Sequence, residues 1–318
     1  MTGRARAQRQ RVLSDLSRTV GRLARVHPWR GVLWACVGLC MLRCTHNPFS
    51  EDNIRLEGGE VRGTVSLDRG ASPEGVYVWL EKFDVATLTD ARGEFRLPLG
   101  TVAAHAGAGI TGSFRLFFYV GNYGVKTAEL VLRQGELVPG HGDVGPGGDL
   151  RTPVLLSRLL EVTTQVAPDT FPPRASGDVS SGTFAGAYID VTVTLCADVD
   201  SLPVVIPSSS GGPAALLMVR ALDPGATLQT LPRESEAALS RPLVADTVTA
   251  LGRTWSSRFY LAMGALPRGT YEVVPFVIVP QRELPGALLR NLGVSETPGL
   301  AYLRMPFKRK GGVLTVLR

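Results

Sequence analysis

From residue 58 onward the sequence repeats one device. Short segments alternate apolar and polar residues, and glycine or proline separates each from the next. EVRGTVSL, 60–67, sets Val61, Gly63, Val65 and Leu67 against Arg62, Thr64 and Ser66. GVYVWLEKF, 75–83, sets Val76, Val78 and Leu80 on one face and Tyr77 and Trp79 on the other. AYIDVTVTLCADV, 187–199, turns Ile189, Val191, Val193 and Leu195 one way. A period of two puts successive side chains on opposite faces of a strand, so each segment reads as a half-buried β-strand. The 36 glycines and 22 prolines supply the turns that many short strands need. The stretch 112–136 adds two long strands, with Phe114, Phe117, Phe118, Tyr119 and Tyr123 as core aromatics. LLEVTTQV, 159–166, reads as the strand that closes this first set.

The expected fold is therefore all-β: two β-sandwich domains, 58–166 and 183–318, joined by a proline- and serine-rich linker at 167–182. In the second domain AALLMVRAL, SRFYLAMGAL, GTYEVVPFVIV, AYLRMPFK and GVLTVLR are strand candidates. Short helices are expected at RESEAALSR and at ELPGALLRNLG, where Leu284, Leu288, Leu289 and Leu292 fall at helical spacing and Gly293 can cap. Cys196 reads as a small buried hydrophobe on its strand.

Residues 1–57 follow another rule. Lys and Arg number 34 against 28 Asp and Glu, but residues 1–30 alone hold eight arginines and a single acid, Asp15. The remainder is close to neutral, so the basic character is confined to the start and the body lacks a nucleic-acid signature. Gly31 to Leu42 carries no charge. Twelve helical residues reach about 18 Å, short of a roughly 30 Å hydrocarbon core. A basic region followed by a short apolar one is the pattern of a secretory signal instead. Cys36, Cys40 and Cys44 follow LWA, VGL and MLR. Cys44 has the whole apolar run before it and the polar, turn-rich THNPFSEDN after it. This arrangement resembles a bacterial prolipoprotein, in which a cysteine at the end of the apolar region is lipidated and becomes the mature N-terminus. Arg43 departs from the small residue usual at that place. The resemblance implies a signal at 1–43, a lipid-attachment cysteine at Cys44 with Cys40 and Cys36 as alternatives, and a tether at 44–57. It also implies a place in the bacterial cell envelope and a membrane partner held through the lipid.

RGTVSL at 62–67, GVYVWL at 75–80 and TLTDARGEFRL at 87–97 together resemble the carboxypeptidase regulatory-like domain over roughly 58–105. That resemblance implies a transthyretin-like sandwich of a kind that is usually a non-catalytic appendage. Within it Asp90 and Gly93 form a structural turn: the Asp90 carboxylate can accept from the turn backbone and Gly93 can take positive φ, as the exit of a hairpin.

Residues suited to catalysis are sparse. Of four histidines, His27 and His46 precede the body, and His105 and His141 lie in glycine-rich loops. His141 and Asp143 are two of the three or four ligands a zinc site needs. The same loop spells G-x-G-x-x-G at Gly140, Gly142 and Gly145, but Pro146, Gly147 and Gly148 follow, so no helix opens to hold a dinucleotide. No G-x-S-x-G elbow occurs. PFKRKGG, 306–312, reads as a charged hairpin turn or a contact for an anionic surface. Trp79, Trp255 and the tyrosines read as packing residues or as a sugar-stacking platform on an exposed sheet face. The expected function is a non-catalytic binding or scaffolding module for an envelope protein or polysaccharide, without cofactor, metal or nucleic acid. The alternative is a glycan- or peptide-active envelope hydrolase with its site in the second domain, which requires a cleft lined by paired acids or by a histidine with acids.

Overall fold

The computed structural model describes residues 59–83, 85–100, 110–171, 186–262, 264–294 and 297–317. Cys36, Cys40, Cys44, His105, the signal, the tether and most of the linker lie outside the described residues.

The first half gives β1 (Glu60–Leu67), β2 (Tyr77–Leu80), β3 (Val85–Leu88), β4 (Glu94–Pro98), β5 (Gly112–Tyr119), β6 (Lys126–Arg133), β7 (Glu136–Leu137) and β8 (Val154–Leu156). They make two sheets, ordered β4-β1-β8 and β3-β2-β5-β6-β7. Between them Val61, Val65, Phe95 and Leu97 meet Val78, Leu80, Leu116, Phe118 and Leu130. This half is a β-sandwich, as the alternation requires.

Asp90 and Gly93 sit at a crossing between the two sheets, not in a hairpin. β3 pairs with β2, placing Thr87 beside Val78, whereas β4 pairs with β1, placing Glu94 beside Thr64. The Asp90 carboxylate accepts from the backbone N–H of Arg92 and Glu94, both at 2.9 Å. Gly93 has φ of 81°. Its carbonyl accepts from Val65 N at 2.8 Å, and a Cβ there would lie 2.0 Å from the Val65 carbonyl oxygen. The turn thus hands the chain to β1 at van der Waals contact, which a side chain at 93 would prevent.

The second half gives β9 (Leu160–Ala167), β10 (Thr170–Phe171), β11 (Gly186–Ala197), β12 (Leu202–Pro207), β13 (Leu217–Ala221), β14 (Gln229–Thr230), α1 (Arg233–Leu239), β15 (Leu243–Val248), β16 (Arg253–Ala262), β17 (Gly269–Pro275), α2 (Gly286–Asn291), β18 (Lys310–Gly311) and β19 (Val313–Val316). Its two main sheets are β16-β11-β9-β18 and β10-β19-β17-β13-β14. Val191, Val193 and Leu195 pack there against Leu217, Val219, Tyr271, Val273 and Leu314.

Three local expectations change. The strand expected to close the first sandwich, β9, belongs to the second: it runs antiparallel to β11, with Thr164 beside Val193. Its apolar residues Leu160 and Val162 complete the second core. The start of the expected linker is likewise built in, because β10 pairs with β19 and Phe171 is buried. AYLRMPFK is not a strand; Leu300–Arg304 is a 3-10 helix. Tyr302, Leu303 and Met305 are all buried, a spacing that no alternating strand could turn one way.

The two sandwiches are stacked face to face. Tyr77 and Trp79 of β2 and Phe117 and Tyr119 of β5 form a third core with Leu216, Met218, Val274, Phe276, Leu288 and Tyr302. β2 and β5 are therefore buried on both faces, which is why YVWL and LFFY are apolar at every position. The order is four sheet layers with three apolar seams. Burying a large apolar side chain stabilises by about 1.5–3 kcal/mol, and neither half can keep the middle seam alone. Expressed separately, residues 58–166 should aggregate or bind a hydrophobic dye while the joined chain does not. Soluble, cooperative unfolding of that fragment by itself would show the seam to be dispensable.

Candidate functional site: clefts along the junction of the sandwiches

The polypeptide passes from one sandwich to the other around Arg158, and polar groups from both halves converge there. Arg158 donates its backbone N–H to Asp68 at 2.9 Å. Its guanidinium reaches Asp198 at 2.5 Å and Glu161 at 2.7 Å. Lys310 joins Glu161 at 2.5 Å, and Arg69 approaches Asp198 at 3.7 Å. The hydrogen bond from Lys310, with Arg158 beside it, holds the Glu161 carboxyl below its ordinary range. The hydrogen bond from Arg158 does the same for Asp198. Asn122, 1% exposed, donates to the carbonyls of Leu160 at 2.8 Å and Lys308 at 2.9 Å and accepts from Lys308 N at 3.0 Å. A cavity of about 300 Å³ beside them is lined by Asn122, Arg158, Glu161, Lys308 and Lys310 among others.

The basic run of PFKRKGG is absorbed by this junction. Lys308 Nζ donates to the Glu74 carbonyl at 2.6 Å, and burial lowers its pKa. The Arg309 guanidinium stacks 4.2 Å above Phe307 and 5.4 Å above Tyr302. Lys310–Gly311 runs parallel to β9 instead of turning a hairpin. A Cβ on Gly311 would lie 2.3 Å from the Thr164 carbonyl oxygen, so the glycine permits that approach.

A second cavity of about 360 Å³ is apolar, walled by Tyr119, Ile278, Leu284, Leu289 and Met305 among others. Its polar tips are engaged. Tyr119 donates to Met305 Sδ at 3.2 Å, and burial pushes its hydroxyl pKa well up. Tyr302 donates to the Val277 carbonyl at 2.7 Å. Gln281 ties the halves here, accepting from Val125 N at 2.7 Å and donating to the Tyr123 carbonyl at 2.9 Å.

The third space, about 670 Å³, opens between β2 and α2 and is lined by Trp79, Glu81, Lys82, Pro285, Ala287, Arg290 and Asn291. Arg115 grips Glu81 with two hydrogen bonds of 2.9 and 3.0 Å, and the first effect of that grip is to lower the Glu81 pKa. Each of these three spaces contains at most one carboxylate and no histidine. Glu81 and Glu161 are both held ionised by cations, the opposite of what a general acid requires.

The remaining sequence candidates are dispersed. Trp79 is 2% exposed in the middle seam and offers no ring face to a sugar. Trp255 is half-buried, with Arg253 4.8 Å above its ring. Tyr188 and Tyr260, two of the tyrosines read as platform candidates, pair at 5.4 Å on the outer face of β11 and β16. Below them run Asp190–Arg258 at 2.6 Å, Thr192–Ser256 at 2.9 Å and Thr194–Thr254 at 3.0 Å. The alternation that turned Ile189 inward already implied that row. Cys196 is a free thiol, half-buried on this outer side opposite Leu195, so it is not the core hydrophobe expected. The His141 loop is a tight glycine turn: Asp143 caps Glu129 N at 2.7 Å and Gly140, Gly142 and Gly148 all have positive φ. Among the described residues no three His, Cys, Asp or Glu side chains converge as a metal site, and no helix is long and apolar enough to cross a membrane.

No family model matches the chain, and no curated protein does. Among solved structures it is similar to the major pilin subunit of Bacillus cereus, with 12% identity over 68% of this chain and 63% of the pilin, at a TM-score of 0.23. The chain thus spans less than two thirds of that protein. It is also similar to the Bacillus anthracis TIE protein, with 10% identity over 70% of this chain and 28% of the other, at 0.21. The major pilin of Streptococcus pyogenes gives 10% identity over 68% and 82%, at 0.20. Likenesses this low do not establish a common fold.

The Arg158 node has a pH signature. The folded pKa values of Glu161 and Asp198 lie below their unfolded values, so their stabilisation is complete above the ordinary carboxylate range and is lost as pH falls through the folded values. Arg158→Met should cost on the order of 2 kcal/mol near neutrality and flatten the fall in melting temperature on acidification. An unchanged acid limb in that variant would show that the node does not couple the sandwiches.

Proposed function

We propose that this chain is a bacterial cell-envelope lipoprotein whose stacked sandwiches act as a non-catalytic binding or scaffolding module for a protein or polysaccharide partner. The observation that carries the scaffolding reading is the middle seam. It joins two sandwiches into one block by apolar packing, and the carboxylates in the junction clefts serve as ion-pair partners of Arg and Lys. The Tyr188–Tyr260 pair and the hydroxyl row below it leave a broad polar face on β11 and β16 for a partner.

Support for the envelope location comes from the arginine-rich start, the twelve uncharged residues and the cysteine before a polar tail. Each acyl methylene buried in a bilayer contributes about 0.8 kcal/mol, and more than one chain is needed for stable anchoring. The two-sheet arrangement of β1–β8 and the Asp90–Gly93 crossing support a carboxypeptidase regulatory-like domain over the first half.

Intact-mass spectrometry of membrane-extracted protein should give a chain beginning at Cys44 plus lipid, and Cys44→Ser should leave it unprocessed or soluble. Loss only in Cys40→Ser or Cys36→Ser would move the attachment site. Membrane retention in all three variants would end the lipoprotein reading.

A further inference from the structure

We propose that the cleft between β2 and α2 binds a small ligand bearing an oxyanion, a carboxylate or a phosphate. Its wall includes Trp79, which is 2% exposed and whose Nε1–H is buried without an acceptor. The indole can only donate, and a buried donor left unpaired costs its full desolvation. Two cations stand at the rim, Lys82 and Arg290, both exposed. The one acid in the lining, Glu81, is already gripped by Arg115 through both of its oxygens. Outside the lining, Glu283 acts on that same Arg115. The two side-chain acceptors in the lining, Glu81 and Asn291, are both engaged, so what the cleft still presents is donors and positive charge.

Lys82 is held in place by its turn. It holds φ of 69°, a region that residues with a Cβ rarely adopt, directly after the gripped Glu81. The turn that sets it is closed by the Phe83 N–H on the Leu80 carbonyl at 3.3 Å, which fixes where the Lys82 side chain leaves the backbone. Its ammonium stands 5.7 Å over the Phe114 ring and acts on the neighbouring Glu81 carboxylate, whose two oxygens Arg115 already occupies. An oxyanion seated between Lys82 and Arg290 supplies acceptors for both, and one of its oxygens can meet the Trp79 N–H. On the α2 side the cleft is lined by Pro285, Ala287, Arg290 and Asn291, and the Asn291 Oδ1 already accepts from the Tyr77 hydroxyl. The site is independent of membrane anchoring and of any partner on the β11–β16 face.

The test uses the full chain with 15N confined to its tryptophan indoles, which gives one signal for each of the four tryptophans. Trp79 is assigned by elimination with Trp29→Phe, Trp34→Phe and Trp255→Phe. Inorganic phosphate and acetate are titrated separately, at ionic strength held constant with sodium chloride. The Trp79 signal is expected to move saturably with at least one of them, and the anion that moves it at lower concentration names the chemistry. Lys82→Gln and Arg290→Gln should each weaken the response at least fivefold, while Lys310→Gln should leave it unchanged. A Trp79 signal unmoved by either anion would assign the cleft to ordered water and overturn the proposal. So would an equal response in the Lys82→Gln/Arg290→Gln double variant.

Discussion

The interaction on which the structure depends is the packing of β2 and β5 against β13, β17 and α2. Tyr77, Trp79, Phe117 and Tyr119 give the first sandwich a second apolar face, and Met218, Val274, Phe276 and Leu288 give the other half its match. A sheet solvated on one side tolerates polar residues at every second position; a sheet covered on both does not. The middle seam therefore imposes its composition on the sequence. It also places the termini of α2 and the strands it covers, and with them the walls of the apolar cavity and of the Trp79 cleft.

Apolar contact alone leaves the sliding of one sheet over another weakly determined. The polar groups at the edge of the seam supply a register. Asn122, Gln281 and Arg158 each bond to backbone or carboxylate on the far side of the chain crossing, and each has several partners at once. Their directional bonds can be satisfied in one alignment only. The Arg309 stack on Phe307 and Tyr302 performs a similar task with a cation and two rings. Lys308 bonds the Glu74 carbonyl and Lys310 the Glu161 carboxylate, so the cations of a run that looked like a surface for anions find their partners within the chain.

Much of this was legible from the residues. The period of two placed Val61, Val78, Leu80, Val191 and Val193 inward, short helices fell at both expected places, and leucine spacing with Gly293 marked the second. What the period could not reveal was the partner of each strand. β9 alternates as well as any strand, but only the chain crossing at Arg158 decides that β11 receives it. The segment around Asp90 carries turn residues whether it closes a hairpin or carries the chain between sheets, because the local bonds to Arg92 and Glu94 are the same in both. The middle seam did leave a signal, the unbroken apolar runs YVWL and LFFY, in which the alternation of polarity stops. The candidate cleft left almost none: Trp79, Lys82 and Arg290 come together only through the seam.

Four stacked layers also divide the backbone amides into two populations. The outer sheets, led by β1 and β11, each keep one face toward water, and their hydrogen bonds can open by local fluctuation. The inner strands β2, β5, β13 and β17 have protein on both sides, so solvent reaches their N–H groups only when whole layers part. In isotope exchange those inner amides would report the free energy of global opening, and the outer ones a graded series below it. The protein thus carries its slowest-exchanging hydrogens at its midline, where its two halves meet, and not at the centre of either half.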